Sequence, residues 1–345
     1  LKYILISDTH FGARDDKVSF HDYFKKFYHD IFFPYIEENG ITEIIHLGDF
    51  WDRRKFINYN TLKLVKEYFL QPIQESTTIK KVYTILGNHD VAKKNTNEIN
   101  SPSLLLSEYD KISVIETPTK IGLYITAIPW VNQENIHDCM KIIKSSSGIC
   151  CGHFDIKGFQ MYNGVVAHEG LDSDIFKKFE IVFSGHFHHR SKDGNIIYLG
   201  SPYEITHADY NDSRGFYVID DISCEYEFIQ NPYTMFAKID YDEDKIDVNT
   251  FDYSQFRDKY LKIVVSNRND IYKYDLFVDK IYKCGCHDIK IIENIANIDC
   301  DIANSDTVID ISDTLTLINH YVQNSNYSVD VGKYMNQLYT EAINQ

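Results

Sequence analysis

The residues whose types and spacing could do chemistry come in five groups: Asp8 with His10, Asp49 with Asp52, Asn88 with His89, His153, and His186 with His188. Each follows a short apolar run, as in Ile44-Ile45-His46-Leu47-Gly48-Asp49, that reads as a buried strand delivering its ligands at the carboxyl end. Carboxylate, amide and imidazole oxygen and nitrogen atoms, with no thiolate among them, suit a hard to borderline divalent ion such as manganese, iron or zinc. One ion would leave ligands over, and two would use them. His46, inside its apolar run, is read as a structural histidine.

The elements that must carry these groups follow from periodicity. Strands are expected over 2–7, 42–47 and 82–86, with helices over 19–39, kinked at Pro34 and stopped by Gly40, and over 59–70. The apolar face of the second helix, with Leu62, Val65 and Phe69, suits either core packing or a subunit contact. Strand, helix and strand in this order imply a parallel crossover. Strands at 112–115, 121–128, 149–151, 181–183, 196–199, 215–219 and 225–229 and a helix over 132–144 extend the pattern to a mixed β-sandwich with helices outside both sheets. Asn231-Pro232 marks a boundary. Beyond it, strand, helix and strand at 261–265, 270–283 and 288–292 indicate a small α+β unit. A polar stretch at 294–305 then leads to two short helices, 313–323 and 328–343.

Composition bounds the function. At 345 residues and 43% hydrophobic content the chain can bury two cores. No apolar run approaches the ~18 residues of a membrane span, and no signal segment opens the chain, so an intracellular, cytoplasmic protein is expected. Seven cysteines without paired spacing read as reduced thiols, and Cys284-Gly285-Cys286 alone is a weak metal signal. The net charge of −16, from 35 basic and 51 acidic residues, has the wrong sign for gripping nucleic acid unaided. Basic residues nevertheless follow the ligand-bearing loops: Arg14; Arg53, Arg54 and Lys55; Lys93 and Lys94; Arg190 and Lys192. They are candidate phosphate contacts, with a solvated face as the alternative.

Asp-x-His, Gly-Asp-x-x-Asp, Gly-Asn-His-Asp, Gly-His and Gly-His-x-His, in that order, resemble the calcineurin-like metallophosphoesterases. Within them the chain is similar to the SbcD-type nuclease subunits of double-strand-break repair, and more so to their tailed-phage recombination relatives. Leu199-Gly200-Ser201-Pro202-Tyr203, Arg214-Gly215-Phe216, Pro129-Trp130 and Asn336-Gln337-Leu338-Tyr339 carry that narrower likeness. Leu86 stands before Gly87 where the protein phosphatases have arginine. A phosphatase or small-molecule phosphodiesterase of the same fold, or a silent scaffold subunit, is the rival reading.

The resemblance implies that Asp8, His10 and His188 hold one divalent cation, that Asn88, His153 and His186 hold a second, and that Asp49 bridges the two. Manganese is expected, with magnesium, iron or zinc as alternatives. His89 would act near the leaving oxygen, and Asp52 would pair with it and favour its protonated form, unless Asp52 is a loop or helix-capping carboxylate. The expected activity is 3′-to-5′ exonuclease action on duplex DNA and endonuclease action on single strands. The implied organisation is a nuclease domain over 1–232, a DNA-binding cap over 233–304, and a helix-loop-helix over 305–345. That last segment would dock on an SbcC-like coiled-coil ATPase or pack on the cap. A homodimer is also implied, in the host cytoplasm if the chain is phage-encoded.

Overall fold

A computed structural model describes residues 1–162 and 165–293 of the chain. The expected helices at 313–323 and 328–343 lie outside the described residues. Two six-stranded sheets make the main body. The first runs in the order Tyr226–Gln230, Gly215–Asp220, Lys2–Ile6, Glu43–His46, Lys81–Ile85, Ile112–Ile115. The second runs Ser191–Asp193, Ile196–Tyr198, Phe179–Gly185, Gly148–His153, Ile125–Ile128, Thr119–Ile121.

Each sheet has four parallel strands at its heart. In the first, Ile6 pairs with His46 and Ile45 with Tyr83; in the second, Gly185 pairs with His153 and Ile128 with Gly152. Parallel strands buried on both faces read as continuous apolar runs, which is why the sequence marks them so clearly. The alternation sorts their side chains: Tyr3 and Leu5 join Ile45, Ile85, Ile149 and Phe183 between the sheets, while Ile4 and Ile6 face a core with Phe24, Phe27 and Phe69 outside them. Cys139, Ile143, Val182 and Phe187 form the core on the outer face of the second sheet. This is the expected α/β sandwich with helices on both faces.

The two long helices differ from expectation in one respect. Val18–Phe27 passes through a wider π turn, Tyr28–Phe32, before Phe33–Asn39, and Tyr59–Val65 does the same through Lys66–Leu70 before Gln71–Glu75. In both cases a proline, Pro34 or Pro72, sits in the first turn of the following segment. Having no N–H to give to the preceding turn, it leaves that turn free to widen. Gly40, at φ 60°, ends the first helix as expected. Val65 and Phe69 are buried in the core beneath the first sheet, so the apolar face of the second helix is spent on packing.

Within residues 237–293 a second core forms, with Ile239, Tyr241, Leu261, Ile263 and Phe277 at its centre. A parallel sheet, Phe236–Asp242, Tyr260–Asn267 and Asp288–Glu293, is covered by helix Ile271–Lys283, which buries Tyr274, Phe277 and Ile281. Asp270 caps that helix by accepting from Lys273 N–H. The seam with the main body is part aromatic, Phe236 and Tyr260 packing on Phe20, and part polar: the buried Glu204 carboxylate accepts the N–H groups of Met235 (2.6 Å) and Phe236 (2.8 Å). Among the described residues, no helix is long and apolar enough to cross a membrane.

Candidate active site

The ligand-bearing loops leave the carboxyl ends of the parallel strands in both sheets and meet at one end of the sandwich. Asp8 and His10 follow Lys2–Ile6, Asp49 follows Glu43–His46, Asn88 and His89 follow Lys81–Ile85, His153 ends Gly148–His153, and His186 and His188 follow Phe179–Gly185. Main-chain bonds lace the loops together: Asp8 N–H donates to Gly48 O (3.0 Å) and His10 N–H to Asp49 O (3.1 Å). Asp8, His10, Asp49 and His186 have φ of 52°, 40°, 54° and 93°, the left-handed region that residues with a Cβ rarely adopt. Such strain persists only where surrounding contacts over-determine it, and it clusters at functional sites. The glycine before Asn88 has a steric reason, because a Cβ on Gly87 would overlap the Asp49 carboxylate.

Donor atoms converge in three overlapping sets within 4.8 Å: Asp8, His10 and His188; His10, Asp49 and His89; Asp49, His153 and His186. Asp49 therefore sits between two clusters. Its Oδ2 lies 3.3 Å from His153 Nε2 and 3.7 Å from His10 Nε2, and its Oδ1 accepts His89 N–H at 2.8 Å. Asp8 Oδ1 accepts His186 N–H at 3.0 Å.

The proton pattern is informative. A carbonyl can only accept, so the 2.8 Å contact of His153 Nδ1 with Leu47 O puts the proton on Nδ1 and turns Nε2 toward the Asn88 Oδ1 at 3.0 Å and the Asp49 carboxylate. Two acceptors facing that nitrogen need a cation between them, which is a proton in the bare chain. Burial pulls the His153 imidazole down, but the carboxylates of Asp49 and Asp8 prevail and raise it to about 9. Burial, reinforced by His10, holds His188 well below the usual imidazole range, so the ring is neutral, with its Nε2 2.9 Å from His10 Nε2. Burial raises Asp8, whereas Asp49 is held well below the carboxylate range because the imidazoles of His153 and His89 outweigh its burial. Two buried carboxylates, an amide oxygen and a ring of imidazoles whose donor atoms converge form a donor set that fits a pair of divalent ions.

The pairing of Asp52 with His89 takes a different form from the one expected. His89 Nδ1 meets the main-chain carbonyl of Asp52 at 2.6 Å, while the Asp52 carboxylate approaches His10 Nδ1 at 3.3 Å. The reason lies in the loop, which Asp52 N–H ties to Phe11 O (3.1 Å). His46 is structural as expected: buried and lowered to about 3 by burial, it accepts Gly48 N–H on Nδ1 (3.2 Å) and gives its Nε2–H to Thr9 Oγ1 (3.0 Å).

Of the basic candidates, Arg53 is committed to Asp15 (3.2 Å) and Asp16 and lies over the Phe56 ring. Its charge is largely offset. Arg190 is exposed and lies over Phe228, 4.2 Å from the ring centre; Lys55 and Lys93 are exposed, and Arg14, Arg54 and Lys94 are half-buried.

Two organising residues escaped the site reading of the sequence. Asp90, fully buried, accepts the N–H groups of Gly87 (2.8 Å), Asp49 (2.9 Å) and Phe50 (2.9 Å). The aspartate of Gly-Asn-His-Asp was its only signal. Arg214, also buried, binds Asp209 (2.9 Å) and Asp212 (2.8 Å) and donates to the His188 carbonyl, so the Arg-Gly-Phe signature proves to anchor the last ligand loop.

A family model described as calcineurin-like phosphoesterase matches residues 1–201. The chain belongs to this family. It is 32% identical over 320 residues to exonuclease subunit 1 of Enterobacteria phage T4, covering 89% of this chain and 90% of that protein. It is 26% identical over 219 residues to the DNA double-strand break repair protein Mre11 of Sulfolobus acidocaldarius, covering 59% of this chain and 54% of that protein. A solved archaeal phosphodiesterase aligns over 67% of this chain and all of its own length, at 14% identity and a TM-score of 0.34. The family model and the T4 relative bear out the resemblance to the phage branch of the nuclease family, and with it membership of an enzyme family that uses divalent metals.

Proposed function

We propose that the chain is a two-metal DNA phosphodiesterase, a 3′-to-5′ exonuclease on duplex DNA and an endonuclease on single strands, working in recombination and break repair. The observation that carries this reading is the Asp49 carboxylate, shared between a donor cluster from the first sheet and one from the second. Asp8, His10, His188 and Asp49 would hold one cation, and Asp49, Asn88, His153 and His186 the other. When bound, such cations, with manganese as the first candidate, offset phosphate charge and make water a competent nucleophile near neutral pH.

The chain's own residues do the rest. The Asp52 carbonyl accepts from His89 Nδ1–H, so the second proton of the imidazolium sits on Nε2; that proton would go to the departing oxygen and leave the neutral ring with its one proton on Nδ1. Leu47 O and Asn88 orient His153, and Asp90 holds the Asp49 and Gly87 main chain so that neither loop has to reorganise during the reaction.

Partner proposals follow. The net charge of −16 leaves little room for unaided DNA binding, and the T4 relative is named as a subunit. An SbcC-like coiled-coil ATPase docked on 305–345 would add the missing basic surface, with 233–304 capping the DNA. A homodimer is proposed as well, through the surface cleft that exposed Leu104 shares with half-buried Leu62. The test is turnover of a labelled linear duplex with manganese, with product analysis, against a chromogenic phosphoester. Cleavage of the phosphoester alone would replace the nuclease reading with that of a phosphatase.

A further inference from the structure

We infer that Trp130 is the platform on which the base of the nucleotide at the cleavage site stacks; the inference deepens the nuclease reading and rests on it. Trp130 leaves the second sheet two residues after Ile125–Ile128, a strand parallel to the one that ends at His153. It therefore enters at the same strand-end face as the donors. Its ring centre lies 5.6 Å from that of His186 and 6.1 Å from that of His153, forming a wall of the Asn88, His153 and His186 side of the site.

The indole is held rigidly. Its Nε1–H donates to Lys94 O (3.0 Å), its main-chain N–H to Leu86 O (2.8 Å), and its carbonyl accepts from Asn135 Nδ2 (2.8 Å). Both imidazoles meet it at an angle, 49° for His186 and 70° for His153, and among the described residues no ring stacks on it and no cation covers it. It is half-buried, unlike the chain's other tryptophan, Trp51, which is sealed in an aromatic core at 2% exposure.

A phosphate held by metal donors gains nothing from an indole. A nucleobase does, because every base has a π face and stacking on a fixed ring is tolerant of sequence. Pre-organisation matters too, since a ring already locked in place loses little entropy on binding.

With two tryptophans, one of them sealed, intrinsic fluorescence reports on Trp130 directly. The full-length chain is titrated with deoxyadenosine 5′-monophosphate and, in parallel, with deoxyribose 5-phosphate. The nucleotide should quench a component of the emission that Trp130→Phe lacks, and the sugar phosphate should not. Trp130→Ala should raise the KM for a DNA strand by about 10-fold, with the phenylalanine variant in between. Absence of base-specific quenching, or an unchanged KM in the alanine variant, overturns the inference. The titration of the unmutated chain decides even where Trp130→Ala fails to fold. DNA cleavage without quenching would remove the platform and keep the nuclease; quenching without cleavage would do the reverse.

Discussion

The Asp90 carboxylate accepts the main-chain N–H of Asp49 at 2.9 Å, so the residue shared by both donor clusters is held by a neighbour that is not itself among the donors. The same carboxylate takes the N–H groups of Gly87 and Phe50. It thus ties the second and third strand-end loops of the first sheet together. Asp90→Asn turns an amide N–H₂ toward those donors and leaves at least one of them unpaired, at a cost of about 1–3 kcal/mol. The variant should melt earlier and bind metal more weakly, as read by thermal unfolding and by titration with manganese. Full metal occupancy at unchanged stability would reduce Asp90 to a bystander.

Asp49→Ala should abolish turnover and weaken both cation sites, because one carboxylate serves the two clusters. Metal analysis is the check, and two full equivalents in the purified variant would break the bridging assignment.

His89→Ala should lose catalysis while keeping its metals and its affinity for DNA, since the proposed role is in proton transfer. Asp52→Asn should be much milder on that step, because the main-chain carbonyl that holds His89 is untouched by the change. Its effect should fall instead on metal affinity, through the lost carboxylate beside His10. An Asp52→Asn enzyme as dead as His89→Ala, with normal metal content, would put the side chain back in the proton pathway.

Glu204 sets a pH dependence at the seam between the two cores. Burial raises its carboxyl from 4.5 to about 7, against the lowering effect of the Phe236 and Met235 N–H bonds. A carboxyl whose folded pKa stands above its unfolded value favours the fold in acid, and that contribution is lost as pH climbs from about 4.5 through 7. Glu204→Gln should abolish this dependence, so the variant gains on the parent by up to about 3 kcal/mol between pH 5 and pH 8. Denaturant melts at the two pH values measure it; parallel changes in both proteins would show that Glu204 is ionised throughout.

Deletion of residues 312–345 should abolish co-purification with an SbcC-like ATPase yet leave cleavage of short single strands. Retained association would place the docking surface within the rest of the chain.

How much of this was legible in the sequence follows from periodicity and reach. Strands buried on both faces have to be continuous apolar runs, so Lys2–Ile6, Glu43–His46, Lys81–Ile85 and Phe179–Gly185 announced themselves, and the residues just past them marked the strand ends where ligands gather. The order of the five motifs was enough to indicate the family. What the sequence could not carry was anything decided by a contact across long separation. Asp52 and His89 are neighbours in either reading, but only the fold of the loop, pinned through Phe11, decides that the carbonyl and not the carboxylate takes the imidazole proton. Asp90 and Arg214 stand in stretches that the sequence marks, but their roles in holding the loops come only from burial, which makes every unpaired N–H and carbonyl around them costly. The same holds for Arg53, a basic residue beside a ligand loop in the sequence, whose charge the tertiary structure gives to Asp15 and Asp16. Residue type and spacing determined which atoms could do chemistry; packing decided which of their lone pairs and protons face the site.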